Sequence, residues 1–204
     1  MYTKDQVINS WPLEDGLIIH QLSELNESHH NMTRKYFDQS YPILRWRQEL
    51  SESENNELSL LNQNLKARAS INLIIYKGEE IIGWSYGWQG GFETGTYYMA
   101  NSCIIPEYRN QGLYSILLKK TIEIARELNF QTITSRHVVS TNPILIAKLK
   151  AGFNISSVEM SEVHGTLVHL TYFMNKLRAE SYKVRTGLQR SNTSEVLALF
   201  NQSS

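Results

Sequence analysis

The sequence predicts an α/β protein of the α+β kind: a mixed, mostly antiparallel sheet of about seven strands, flanked by helices, with a parallel central pair. Three observations carry this. Turn signals at Lys77-Gly78 and His164-Gly165 each sit between runs rich in β-branched and aromatic residues, the mark of an antiparallel hairpin. Tyr97 to Ile105 and Gln131 to Val139 also read as strands, but a helical stretch separates them, so they lie side by side in parallel. That helix carries Leu113, Leu117, Ile124 and Leu128 on one side and Lys119, Lys120, Glu123, Arg126 and Glu127 on the other.

At 204 residues the chain suits one domain, 1–204, with a sizeable core. Its 20 basic and 20 acidic residues cancel, so no charged face is expected for nucleic acid or an acidic membrane. The one cysteine, Cys103, lies in the central strand, cannot form an internal disulfide, and reads as a structural thiol. The N-terminal MYTKDQVINSWPLEDG holds no apolar signal region, and no apolar run approaches membrane-spanning length. The expectation is a soluble cytoplasmic protein without a metal.

In chain order, residues 1–15 are polar, contain Pro12, and read as a lead-in. Gly16 to His20 makes a first strand. Asn26 to Phe37 makes a helix, with Met32 and Tyr36 on its apolar side. The stretch ILRWRQEL places Arg45, Trp46 and Arg47 in a connection. A second helix follows, with Ser51 and Glu54 spaced as a capping box and Leu58, Leu61 and Leu65 at helical spacing. Ile71 to Tyr76 and Glu80 to Trp88 form the first hairpin. In its second strand Ile82, Trp84, Tyr86 and Trp88 alternate with Gly83, Ser85 and Gly87. This predicts a core face of aromatics and a face of small residues against which something can lie. A polar turn, Gln89 to Gly95, leads to the central strand.

Pro106 ends that strand, because it offers no N–H to a neighbour. The loop Glu107 to Gln111 then runs through Gly112 into the long helix. Asn142 to Phe153 is a shorter helix, with Pro143 in its first turn and Gly152 at its end. Ile155 to Val163 and Thr166 to Met174 form the second hairpin, and 175–204 read as a terminal helix with a polar tail.

The strand, loop and helix around Arg109 and Gly112 suggest an anion site. The first N–H groups of a helix lack internal partners and the helix dipole makes that end positive. A glycine lets a ligand approach the backbone, and an arginine can fork onto phosphate oxygens. An ordinary connection with an exposed arginine is the alternative. The spacing fits neither a nucleotide P-loop nor the three-glycine dinucleotide fingerprint.

The run Ile104-Ile-Pro-Glu-Tyr-Arg-Asn-Gln-Gly-Leu-Tyr114 resembles the acetyl-CoA signature of the GNAT superfamily of acyl-CoA-dependent N-acetyltransferases. Arg109 and Gly112 match it; Tyr114 departs, since that position is usually tiny. Asn142 to Gly152-Phe153 resembles the family's second signature, and the likeness extends over about Ile71 to Phe153. The resemblance implies a GNAT-like sheet and transfer of an acetyl or other short acyl group from acetyl-CoA to an amine. The acceptor is a small molecule or peptide, and the enzyme a monomer or homodimer. It implies that the parallel strands part beyond Pro106, leaving a slot for the pantetheine chain.

By the same resemblance Cys103, Ile104, Ile105, Arg109, Asn110, Gln111, Gly112, Leu113, Tyr114, Ser115 and Asn142 hold the cofactor. Ile104, or a residue beside it, offers its N–H to the thioester oxygen. Arg45, Trp46 and Tyr97 are the candidates for the acceptor side, where the likeness is weak; for the Trp46 region the alternative is a tryptophan closing the core edge with two solvated arginines. A lysine-like acceptor gives up its proton at about 4.6 kcal/mol at pH 7, so a base is expected, with Glu107 and His137 as candidates. For Glu107 the alternative is a solvated loop carboxylate, and for His137 a strand histidine with a backbone partner. Many relatives protonate the departing thiolate with a tyrosine four residues before the glycine of the second signature. Here that position is Lys148, either a proton donor or a helix-surface bystander, with Tyr114 as a substitute acid. A non-catalytic acyl-CoA-binding module on the same fold is the competing class.

Overall fold

The computed structural model describes residues 6–37, 51–53, 56, 68–90, 95–188 and 198. Eight strands form one sheet: β1 (Val7–Pro12), β2 (Leu17–Leu22), β3 (Ser70–Lys77), β4 (Glu80–Gln89), β5 (Thr96–Ile104), β6 (Thr132–Val138), β7 (Asn154–Ser161) and β8 (Gly165–Phe173). Their order is β1-β2-β3-β4-β5-β6-β8-β7, and every neighbouring pair is antiparallel except β5 and β6. The helices are α1 (Glu27–Phe37), α2 (Leu113–Glu127), α3 (Asn142–Lys150) and α4 (Lys176–Arg185).

Both faces of the sheet's middle are covered, which is why β3 buries Ile71, Leu73, Ile74 and Ile75 together rather than alternating. Ser85 Oγ lies 3.3 Å from Thr121 Oγ1, so α2 rests on the small-residue face of β4, as its glycines anticipate. A side chain at Gly83 would meet Ile104 Cδ1 at 2.5 Å, and one at Gly87 the Tyr98 carbonyl at 2.1 Å. On the opposite face Tyr36 of α1 lies 6.3 Å, ring to ring, from Trp84.

Several expectations are corrected. The lead-in contains β1, an edge strand whose single neighbour and exposed side chains leave it polar. Leu128 ends α2 and is exposed rather than part of its buried stripe, and Trp88, near the open end of β4, is exposed too. The capping box with Leu58, Leu61 and Leu65, and the polar tail beyond 188, lie outside the described residues, Ser51 and Ala198 apart.

The parting of β5 and β6 comes much earlier than Pro106. They pair only at Thr96 with Thr132, Tyr97 with Ile133, and Tyr98 with Thr134. Just beyond, the β4–β5 register slips between Tyr86 and Gly87: Gly87 faces Met99 and Tyr86 faces Asn101, so Ala100 is an extra residue. A bulge bends its strand. Here it turns β5 away while β6 continues in unbroken register along β8 from Thr132 to Val138. The result is a wedge-shaped gap in mid-sheet.

Candidate active site

The gap opens into a cavity of about 590 Å³ bounded by β5, β6, the start of α2 and one side of α3. Backbone groups supply much of its chemistry. The Ile105 N–H donates to Ile82 O at 3.0 Å, so it faces β4. Successive N–H groups on a strand point to opposite edges, so the Ile104 N–H faces the gap, where β6 is no longer close enough to pair. The Ile104 carbonyl points the same way and accepts from Arg109 Nε at 3.0 Å. Arg109 therefore ties the loop back onto the strand end.

That loop turns through Asn110 (φ 62°) and Gly112 (φ 77°), both left-handed. Asparagine and glycine are the residues that tolerate this region best. Alternating handedness curls backbone N–H groups round a hollow suited to an anion. Gly112 caps α2 with no side chain bonded to its first N–H groups, and a Cβ there would meet nothing within 4 Å. The hollow is thus open, and Asn110, Gly112, Leu113, Tyr114 and Ser115 form part of the cavity wall.

The helix α3 is inverted. It leaves Ile146 and Leu149 exposed at 52% and 43%, and buries Lys148 at 1%. Lys148 is in the cavity wall, with Nζ 3.2 Å from Met99 Sδ and 5.0 Å from the centre of the Phe153 ring. Among the described residues no carboxylate pairs with it. Burial alone pulls its ammonium down to about 7 from the ordinary lysine value. The expected place on the helix surface is corrected: this lysine is buried.

His137 is also in the wall, 3.2 Å from the Ser135 hydroxyl rather than from a backbone partner. Burial, and then the Lys148 charge, push it down to about 3, so it is neutral at pH 7. The Tyr114 hydroxyl is buried with no hydrogen-bond partner among the described residues, and burial pushes its pKa up. Cys103 is half-buried in the wall; burial raises its thiol, with the Arg109 charge opposing.

Other expected residues fall elsewhere. Glu107 is exposed and outside the wall, as is Gln111, whose amide reaches back to the Glu107 carbonyl. Ile105 is core, and Asn142 begins α3 without reaching the cavity. Tyr97 is fully buried, its hydroxyl donating to Ile71 O at 3.2 Å and its ring on Phe130. The next residue, Tyr98, lines the cavity instead, a slip of one position that swaps faces. Arg45 and Trp46 lie outside the described residues.

Sequence reasoning missed the α1 side of the cavity: Tyr36, Tyr98, Asn101, Arg136 and His164. The period-two pattern of β6 offered a signal, since Ser135 and His137 share one face and leave Arg136 on the other. Among the described residues no cluster of His, Cys, Asp or Glu could hold a metal ion, and no helix is long and apolar enough to cross a membrane.

Residues 30–153 match the model of the acetyltransferase (GNAT) family. No curated protein matches the sequence. Among solved structures, the ribosomal-protein-S5-alanine acetyltransferase from Vibrio fischeri superposes with a TM-score of 0.59 at 12% identity, over 82% of this chain and 98% of that one. A mutant spermidine N-acetyltransferase from Vibrio cholerae gives 0.57 at 14% identity, over 85% and 99%. A GNAT family acetyltransferase from Elizabethkingia anophelis with acetyl-CoA bound gives 0.56 at 18%, over 79% and 100%. At these identities the likeness is one of fold.

Proposed function

The chain belongs to the GNAT acetyltransferase family, and from that premise we propose that the gap between β5 and β6 is where it moves an acetyl group from acetyl-CoA to an amine. The observation that carries this is the join of two backbone sites. A strand edge with an unpaired N–H at Ile104 runs directly into the left-handed loop at the start of α2. Acetyl-CoA bears its thioester carbonyl at one end of the pantetheine chain and its pyrophosphate at the other, and such a strand and loop can hold both.

Bound acetyl-CoA supplies an activated carbonyl carbon and a thiol that leaves readily. The rest is the work of this chain. The N–H groups from Asn110 to Ser115 would hold the pyrophosphate, with Gly112 admitting it against the backbone. The Ile104 N–H would donate to the thioester oxygen, where negative charge gathers as the amine attacks. A donor so placed is worth roughly 3 kcal/mol. Lys148 would give the departing sulfur its proton and take back the one the nitrogen sheds as the amide forms, its lowered pKa of about 7 suiting it to both. His137 is too weak a base, and Glu107 too far outside, to take the amine's proton. The amine accordingly enters already neutral.

The same reading takes 1–204 as one domain, acting in the cytoplasm as a monomer or homodimer; the single continuous sheet supports the first part. Release of free thiol from acetyl-CoA across a mixed amine panel is the test. Amine-dependent release is expected, and release that no amine accelerates overturns the reading.

A further inference from the structure

The α1 side of the cavity bears on which amine is used. Arg136 projects from β6 on the face opposite Ser135 and His137, and lines the cavity mouth beside Tyr98. Its guanidinium is held from behind. Nε donates to the Tyr98 hydroxyl at 3.1 Å, and Nη1 donates to both oxygens of Glu159 at 3.1 and 3.2 Å. Glu159 is in turn bonded to His169, so this carboxylate is shared between two basic side chains. Nη2 has no partner among the described residues, although a guanidinium carries five donors. Fixed in place with Nη2 unspent, it can give a charge-assisted hydrogen bond to an anionic oxygen.

The wall around it is one-sided in charge. Arg109, Arg136 and Lys148 belong to it, while no Asp or Glu occurs among the described residues that line it, and burial holds its His137 and His164 toward the neutral form. Arg109 is tied to the Ile104 carbonyl at the loop end, and Lys148 lies on the α3 side against Met99. Arg136 is left for whatever approaches from the α1 side. A polyamine entering there meets no carboxylate among the described lining residues, the nearby Glu159 being engaged by Arg136 and His169. Nearby cations also favour the neutral form of an amine, easing the deprotonation for which no strong base is at hand.

Building on the acyltransferase reading, we propose that the acceptor is an amine that also carries an anionic oxygen group, a carboxylate or a phosphate, seated on Arg136. The test is calorimetry on the protein saturated with coenzyme A. One arm titrates L-amino acids and glycyl dipeptides, each against its carboxamide; a second titrates amino-alcohol phosphates against the parent amino alcohols; spermidine is the third. In one of the first two arms the anionic member should bind roughly 10- to 100-fold tighter than its neutral counterpart, the range expected for hydrogen bonds to a charged group. Arg136→Gln should erase that preference, and Arg136→Lys, which keeps the charge but not the planar group held by Tyr98 and Glu159, should erase part of it. Equal binding within every pair, tightest binding by spermidine, or equal weakening of both members by Arg136→Gln overturns the proposal. Failure of coenzyme A itself to bind in the saturation step counts instead against the acyltransferase reading.

Discussion

The two ends of the cavity are built differently. The end proposed for the donor is one short piece of chain, Ile104 to Ser115, presenting mostly backbone N–H groups and two left-handed residues. The end proposed for the acceptor is a meeting of side chains remote in sequence: Tyr36 from α1, Tyr98 and Asn101 from β5, Arg136 from β6 and His164 from the β7–β8 turn. A backbone site is local and tolerates exchange of its side chains provided the turn survives. A side-chain site depends on the register of several strands at once, and a single substitution can redirect it.

The largest expected effect separates the ends outright. Gly112→Glu puts a carboxylate where phosphate should lie, and should weaken coenzyme A binding by ~100-fold or more. The fold should persist, because a side chain there meets nothing within 4 Å and the left-handed backbone costs ~1 kcal/mol. Normal binding of coenzyme A by this variant would remove the donor site from the loop.

Lys148→Met probes the boundary between the ends. Loss of a positioned proton donor should lower turnover by ~100-fold. The pH profile sharpens this. With the donor at about 7 and an alkylamine acceptor near 10.4, wild-type kcat/KM should rise up to about pH 7 and then level off. The variant, with no acid to lose, should keep rising toward the acceptor's pKa. Stability moves the other way. The folded lysine holds its proton less tightly than the unfolded one, so wild-type stability climbs as pH rises from about 7 toward 10.5. Denaturant melts should therefore show the variant more stable by a few kcal/mol below pH 7, the difference fading toward pH 10.5. A variant with unchanged turnover would return Lys148 to a structural role.

Smaller effects are expected at two other positions. Tyr114→Phe removes a buried hydroxyl with no partner among the described residues, so the free protein should gain about 1 kcal/mol while coenzyme A binding weakens a few-fold. A gain in stability with no change in binding would make the hydroxyl a packing defect only. Glu107→Gln should change turnover less than twofold, as Glu107 is exposed and outside the wall.

The contrast between the ends also explains what could be read from sequence. The hairpins, the crossover helix and the donor loop announce themselves through residues a few positions apart: Gly78 in its tight turn, Gly112 at the start of α2, Gly152-Phe153 at the end of α3. The position of the gap did not, because it follows from one extra residue, Ala100, in the pairing of β4 with β5. Tyr97 and Tyr98 look alike in sequence, and only the register tells which faces the ligand. Lys148 was hidden by its helix, which is apolar nearly all round and so gives no hint that it exposes Ile146 and buries the lysine. Arg136 needed its partners Tyr98 and Glu159, which topology alone brings together.

The β5–β6 gap and the loop after it are proposed as one acyl-CoA site. The most direct measurement is the melting temperature with acetyl-CoA, ATP and NAD at equal concentration. A ligand at a hundredfold excess over its dissociation constant adds about 2.7 kcal/mol. For a chain of this size that is a rise of roughly 5–11 °C. Acetyl-CoA should raise the wild-type melting temperature by that amount, and ATP and NAD by much less; equal shifts from all three would contradict the account.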